Sequence, residues 1–141
     1  MLTIENLTDL EINIDQLETI AKRVTSKEID LTICYNPCIQ EYNAQYRNKN
    51  KPTDVLSFPV ESDFEHEPLG SIVISADFVR QKALEFNHKN DDEFALLFIH
   101  GLLHLLGYDH EIDTGEMRAK ETELIHAFHL PKSLIIRTEE S

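Results

Sequence analysis

Long apolar runs are missing from this sequence. No stretch approaches the roughly 20 residues that a membrane-crossing helix requires, so no transmembrane helix is expected. Basic charge is also scarce. Lysine and arginine number 13 against 26 acids, and the formal net charge is −13. Broad, nonspecific nucleic-acid binding needs a basic footprint and is excluded, although a local basic patch is not. Cysteine occurs twice, at Cys34 and Cys38, with no other soft ligands close by. Both read as reduced, partly buried thiols rather than as a disulfide or a metal site. Glycines are four and prolines five, which excludes fibrous and low-complexity classes. The opening Met1-Leu-Thr-Ile-Glu-Asn has no basic region followed by an apolar stretch, so no signal peptide is read there. A cytoplasmic location with no membrane partner is expected.

What is present is an ordinary globular composition, 41% apolar and 28% charged over 141 residues. One domain spanning residues 1–141 is expected. At this size roughly two-thirds of the unfolded surface can be buried, enough for a core without staples.

Periodicity divides the chain into short elements. Met1–Asn6 reads as a strand. Asp15 with Glu18 three residues on forms a capping-box pattern, and residues 15–26 read as an amphipathic helix. Glu28–Tyr35 alternates, with Ile29, Leu31, Ile33 and Tyr35 on one face and Thr32 and Cys34 on the other. Pro37 suits a first helical turn, and Ile39, Tyr42, Asn43 and Tyr46 share one face of a helix ending near Arg47. Val55–Phe58, with prolines on both sides, reads as an edge strand. Glu61–Pro68 reads as an acidic surface loop and Leu69–Ser75 as a strand. A helix from Ser75 or Ala76 to about Phe86 follows. Asp91 is the expected cap of a central helix that is apolar nearly all round, hence buried. Asp113 and Glu116 suggest the start of a last helix, running to about His129, and Thr138–Ser141 reads as a frayed tail. The fold class is α+β: one small mixed sheet of about four strands packed against about five helices, with the buried central helix carrying the candidate ligands.

That central helix holds the chemistry. His100 and His104 are four residues apart, one above the other on a helix face. Gly107 is placed to end the helix in a left-handed turn, after which His110 can return toward the pair. Two imidazoles on a leucine-filled face each need a partner, and a shared metal satisfies both. Three nitrogens with an open fourth position suit zinc, with nickel or another divalent metal possible. His66, His88, His126 and His129 read as ordinary hydrogen-bonded or surface residues.

Metzincin proteases space H-E-x-x-H-x-x-G-x-x-H in the same way. Here, however, Gly101 stands where a protease carries its glutamate base, so peptide hydrolysis of that kind is disfavoured. Phosphodiester cleavage depends less on that base. It does need a cation near the phosphate. Arg47 is the candidate catalytic cation, because a guanidinium matches phosphate oxygens in bidentate fashion. Lys49 and Lys51 are candidate substrate contacts in an acid-free segment running from Asn43 to Thr53.

The run His100-Gly-Leu-Leu-His-Leu-Leu-Gly-Tyr-Asp-His110, with Tyr46-Arg47 and Pro52-Thr-Asp-Val-Leu-Ser-Phe-Pro59, resembles the YbeY-type endoribonucleases. The family signature is H-G-x-L-H-L-x-G-Y-D-H, and every fixed position matches. The resemblance covers nearly the whole chain. It implies zinc on His100, His104 and His110, and an RNase-linked role for Arg47. It also implies metal-dependent cleavage of single-stranded RNA in 16S rRNA 3′-end processing and ribosome quality control. The implied partners are an rRNA precursor and ribosomal or small-subunit proteins; no DNA is expected. One position departs from the family: Ser71 stands where Leu-Gly-Asp-Ile is usual, so a role for that acid does not carry over. Two alternative readings are a non-catalytic ribosome assembly factor with a structural zinc and a metalloprotease-like hydrolase.

Overall fold

The computed structural model describes residues 2–60, 67–108 and 115–131. Its elements are β1 (Leu2–Asn6), α1 (Ile14–Val24), β2 (Ile29–Cys34), α2 (Asn36–Arg47), β3 (Val55–Pro59), β4 (Gly70–Ser75), α3 (Ala76–Phe86), α4 (Asn90–Leu105) and α5 (Glu116–Ala127). The four strands form one sheet in the order β1-β2-β4-β3. β1, β2 and β4 run parallel, and β3 pairs antiparallel with β4. The fold is α+β with a mixed sheet, in the element order expected.

The strands' period of two sorts the core onto two faces. Ile29, Leu31 and Ile33 of β2, with Ile72 and Ile74 of β4, join the large cluster that includes α1, α4 and α5. On the opposite face, Cys34, Leu56 and Val73 pack with Ile39 of α2. Burial pushes the Cys34 thiol well above its ordinary pKa, and both cysteines are free thiols. α4 buries Phe94 to Ile99, then Gly101 to Leu103 and Leu105. Each of its large apolar side chains contributes about 1.5–3 kcal/mol on full burial. No described helix is long and apolar enough to cross a membrane.

β3 is an edge strand, as its flanking prolines suggest. The ladder bonds Ser75 N–H to Asp54 O and Val60 N–H to Leu69 O turn the even-numbered residues toward β4. By alternation Val55, Ser57 and Pro59 turn their backbone groups outward, so Pro59 costs the ladder no donor.

The helix starts differ from the sequence reading. α1 begins at Ile14, because the side chain of Asn13 accepts from Gln16 N–H two residues before the expected Asp15 cap. Thr25, extended, ends it before residue 26. Tyr35 is not a fourth residue on that strand face; it is exposed and forms the N-cap of α2. Lys89, not Asp91, is the N-cap of α4, and its carbonyl accepts from Asp92 and Glu93. Asp91, Asp92 and Glu93 still occupy the first turn, where negative charge suits the dipole. α5 is preceded by Gly115 and ends at Ala127. Asp113, His66, most of the acidic Glu61–Pro68 segment and the Thr138–Ser141 tail lie outside the described residues.

Gly70 opens β4 at φ +154°, and an added Cβ would lie 2.5 Å from Phe58 O and 2.7 Å from a Leu105 methyl. Backbone strain and overpacking of this kind cost about 1–3 kcal/mol each. Gly70→Ala is therefore expected to lower the thermal midpoint by several degrees. An unchanged melting curve would show that the sheet and α4 can separate locally without loss.

Candidate active site

The site is assembled at the edge strand. His100 and His104 project from the last turns of α4, and α4 then ends in a Schellman turn. Tyr108 N–H donates to Leu103 O at 3.0 Å and Gly107 N–H to His104 O at 3.0 Å. Gly107 takes φ 99°, the left-handed conformation its position in the sequence suggests. His110, the third predicted ligand, lies outside the described residues.

The two described histidines are brought together. Their Nε2 atoms are 3.1 Å apart. On the far side of His100, Nδ1 lies 2.9 Å from Oε1 of Glu121, a carboxylate from α5. A carboxylate there suits the tautomer that carries its proton on Nδ1, which leaves the Nε2 lone pair facing His104. A tetrahedral ion bonded to two nitrogens at about 2.0–2.1 Å would hold them about 3.3–3.4 Å apart. The observed spacing is within a few tenths of an ångström of that, so this pair fits joint ligation of one ion. Among the described residues alone, no group of three donor side chains gathers round a point.

Sequence reasoning missed Glu121. Its signal was nonetheless present: Met117, Glu121 and Leu124 fall at i, i+4 and i+7, which puts an acid on the buried stripe of α5. Glu121 is 5% exposed, and a carboxylate this buried requires a partner. His88 is comparable: it is half-buried, and its Nδ1 lies 2.9 Å from Oε1 of the buried Glu93. It is the ordinary hydrogen-bonded residue expected.

Gly101 has a second meaning in the structure. An added Cβ would meet Ile72, Ser57 and Val55 side chains at 3.0, 3.1 and 3.2 Å. The position after the first histidine is therefore packed against the sheet. It is tight for a protease's glutamate, besides lacking the glutamate. Ser57 Oγ–H donates to Gly101 O at 3.0 Å across the same contact.

Arg47, Lys49 and Lys51 line the same cavity as His100 and His104. Its volume is about 560 Å³, and Asn43, Asp54, Ser57 and Tyr108 also contribute to its walls. Arg47 comes from the last turn of α2, on the other side of β3 from α4. Asn48 then adopts a left-handed conformation, φ 56°, and turns the chain. The segment beyond is pinned. Lys49 N–H donates to Asn43 O at 3.2 Å, and Asn43 Nδ2 donates to Lys51 O at 2.9 Å. Gln40 Nε2 donates to Asn50 Oδ1 at 3.1 Å. Buried Asn43 is thus a second residue whose importance the sequence did not reveal. Among the described residues lining it, three cations stand with one carboxylate, Asp54, which accepts from Val55 N–H at 2.8 Å. The cavity is a confined basic region on an acidic protein. Ser71, the departure noted above, pairs with Phe58 and Asp30 within the sheet and is not among the described residues lining the cavity.

The family described as Endoribonuclease YbeY matches residues 3–129. A protein named Endoribonuclease YbeY from Sulfurovum sp. (strain NBC37-1) is 55% identical over 144 residues, covering 99% of this chain and 98% of its own. One of the same name from Aliarcobacter butzleri (strain RM4018) is 59% identical over 138 residues, covering 97% and 99%. The solution structure of TM1509 from Thermotoga maritima superposes with a TM-score of 0.63 at 29% identity, covering 91% of this chain and 89% of that one.

If His100 ligates a metal ion, its contact with Glu121 predicts that Glu121→Ala weakens zinc binding by about 10–100-fold, the usual cost of losing a carboxylate behind a ligating histidine. Glu121→Gln, which keeps an acceptor, is expected to lose less. Competition titration against a chromophoric chelator measures both. Equal affinity in the parent and Glu121→Ala would remove Glu121 from the site.

Proposed function

Because the chain belongs to the YbeY endoribonuclease family, we propose that it is a zinc-dependent endoribonuclease acting on single-stranded RNA. One observation carries this reading: Arg47, Lys49 and Lys51 share a cavity with the histidine pair. A phosphodiester substrate needs cations and an activating centre at one point, and this cavity offers both.

His100, His104 and His110 would hold the ion. When bound, zinc supplies Lewis acidity and water activation near neutral pH. The remaining work falls to the chain. Glu121 fixes the tautomer and ring orientation of His100. Arg47 grips the scissile phosphate through two parallel N–H···O bonds and offsets charge that builds on its oxygens in the transition state. Lys49 and Lys51, held in place by Asn43, take neighbouring phosphates as point charges. The nucleophile is a water or the ribose 2′-hydroxyl. Within the cell the proposed substrate is a single-stranded rRNA precursor, with 16S 3′-end maturation, ribosome quality control and ribosomal partner proteins in the cytoplasm. Family membership supports that assignment.

Two variants test the chemistry. Arg47→Ala in metal-replete protein is expected to slow cleavage of single-stranded RNA by about 10²–10³-fold, the cost of removing one donor to a developing anion, while zinc content is unchanged. His104→Ala is expected to lose both metal and cleavage. If Arg47→Ala cuts as fast as the parent, Arg47 is misassigned. If the parent cuts no RNA while chelation lowers its melting temperature, the protein is an assembly factor with a structural zinc. Casein cleavage is expected to be absent. Gly101→Glu, which restores the protease pattern, should destabilise the fold rather than confer peptidase activity, given the contacts at 3.0–3.2 Å around that position.

A further inference from the structure

A cluster of three aromatic rings lies just outside the cavity. Tyr46 is 59% exposed, although its helical neighbours Ile39 and Asn43 are buried. The ring is not loose. It meets Phe58 edge-on with centroids 5.3 Å apart and stacks against Tyr42 at 6.2 Å. Tyr42 and Phe58 are 6.3 Å apart and complete the cluster.

The cluster adjoins the cavity along both elements that carry it. On α2, Tyr46 immediately precedes Arg47, which lines the cavity. On β3, Phe58 lies between Ser57 and Pro59, which also line it. Successive residues of a helix point about 100° apart. A strand whose phosphate meets Arg47 therefore has Tyr46 beside it at the rim. Among the described residues nothing hydrogen-bonds the Tyr46 hydroxyl, so the contacts that hold the residue are those of its ring.

We propose that Tyr46, braced by Phe58 and Tyr42, is a stacking platform for a nucleobase of the RNA adjacent to the phosphate held by Arg47. The inference rests on the RNA-cleaving reading of the cavity and extends it to a base subsite. Charge complementarity selects the occupant: the exposed ring immediately precedes Arg47, one of three cations among the described residues lining the cavity, and in single-strand binding grooves bases stack beside a backbone tracked by cations. Because the ring is already braced, little side-chain freedom is lost on binding. Every base has a π-face, so the platform favours unpaired nucleotides over duplex without reading sequence.

The test exploits a gap in composition, since the chain contains no tryptophan. Tyr46→Trp places a single indole on the platform. Its fluorescence is expected to quench on titration with a short oligoadenylate. It should stay unquenched with an abasic ribose-phosphate oligomer of the same length, although that oligomer still binds through its phosphates. Tyr46→Ala, checked for an unchanged melting transition, is expected to bind labelled oligoadenylate about 5–150-fold more weakly, the equivalent of the ~1–3 kcal/mol of one base–aromatic stack. The abasic oligomer should bind the parent and Tyr46→Ala alike. The platform is overturned if the indole does not respond to oligoadenylate that anisotropy shows to be bound, or if Tyr46→Ala binds as the parent does. In either case an intact cleavage activity would leave the nuclease reading standing. If the parent neither binds nor cuts single-stranded RNA, both readings fall together.

Discussion

Helix α4 lies against the sheet at a close contact made at a glycine, and the site is placed by it. Side-chain atoms of Val55, Ser57 and Ile72 approach within 3.0–3.2 Å of where a Gly101 Cβ would be, and Ser57 ties the Gly101 carbonyl to the edge strand. An added Cβ would need these side chains to give by a few tenths of an ångström, so a large side chain would press against β3. His100 precedes that contact by one residue and His104 follows it by three, so the imidazoles are held at the sheet edge. Arg47 reaches the same edge from the opposite face, because α2 packs there through Ile39. The chemistry of the cavity is thus divided between two helices on opposite sides of one edge strand.

This division explains how an acidic protein can present a basic site. The charge of −13 is spread over the whole chain, whereas Arg47, Lys49 and Lys51 are gathered by one turn. The left-handed Asn48 reverses the chain, and Asn43 and Gln40 bind the returning backbone. Arg47, Lys49 and Lys51 are exposed, but a phosphate in contact with them meets their charges at short range, whereas distant acids are screened beyond about 8–10 Å of salt solution.

Much of the fold was legible because it is written in local pattern. The order of strands and helices follows from alternation, from the 3.6-residue period and from punctuation such as Pro37 and Gly107. The edge position of β3 could be read from Pro52 and Pro59. Helix starts were harder, because several polar residues compete for each cap. Asn13 outcompetes Asp15, and the α4 cap is Lys89, whose side chain makes no cap bond. The histidine pair was legible as a motif. Its relation to Arg47 was not, because it depends on how α2 and α4 pack against β3 about fifty residues apart. Glu121 and Asn43 stayed hidden for a related reason. Their roles come from burial against other elements, which a linear reading shows only as a polar residue in an apolar stripe. Gly101 was read as an absence of base, and the structure adds that it is a packing contact.

The central claim is that the α4 histidines and Arg47 act on the same phosphate. A double-mutant cycle on single-turnover cleavage of a single-stranded oligoribonucleotide tests it directly, with Arg47→Ala, His104→Ala and the pair together. Groups that act as one unit are strongly non-additive, so the double variant is predicted to be about as slow as the worse single variant. Losses that simply multiply would place Arg47 and the histidines on separate functions and contradict the account.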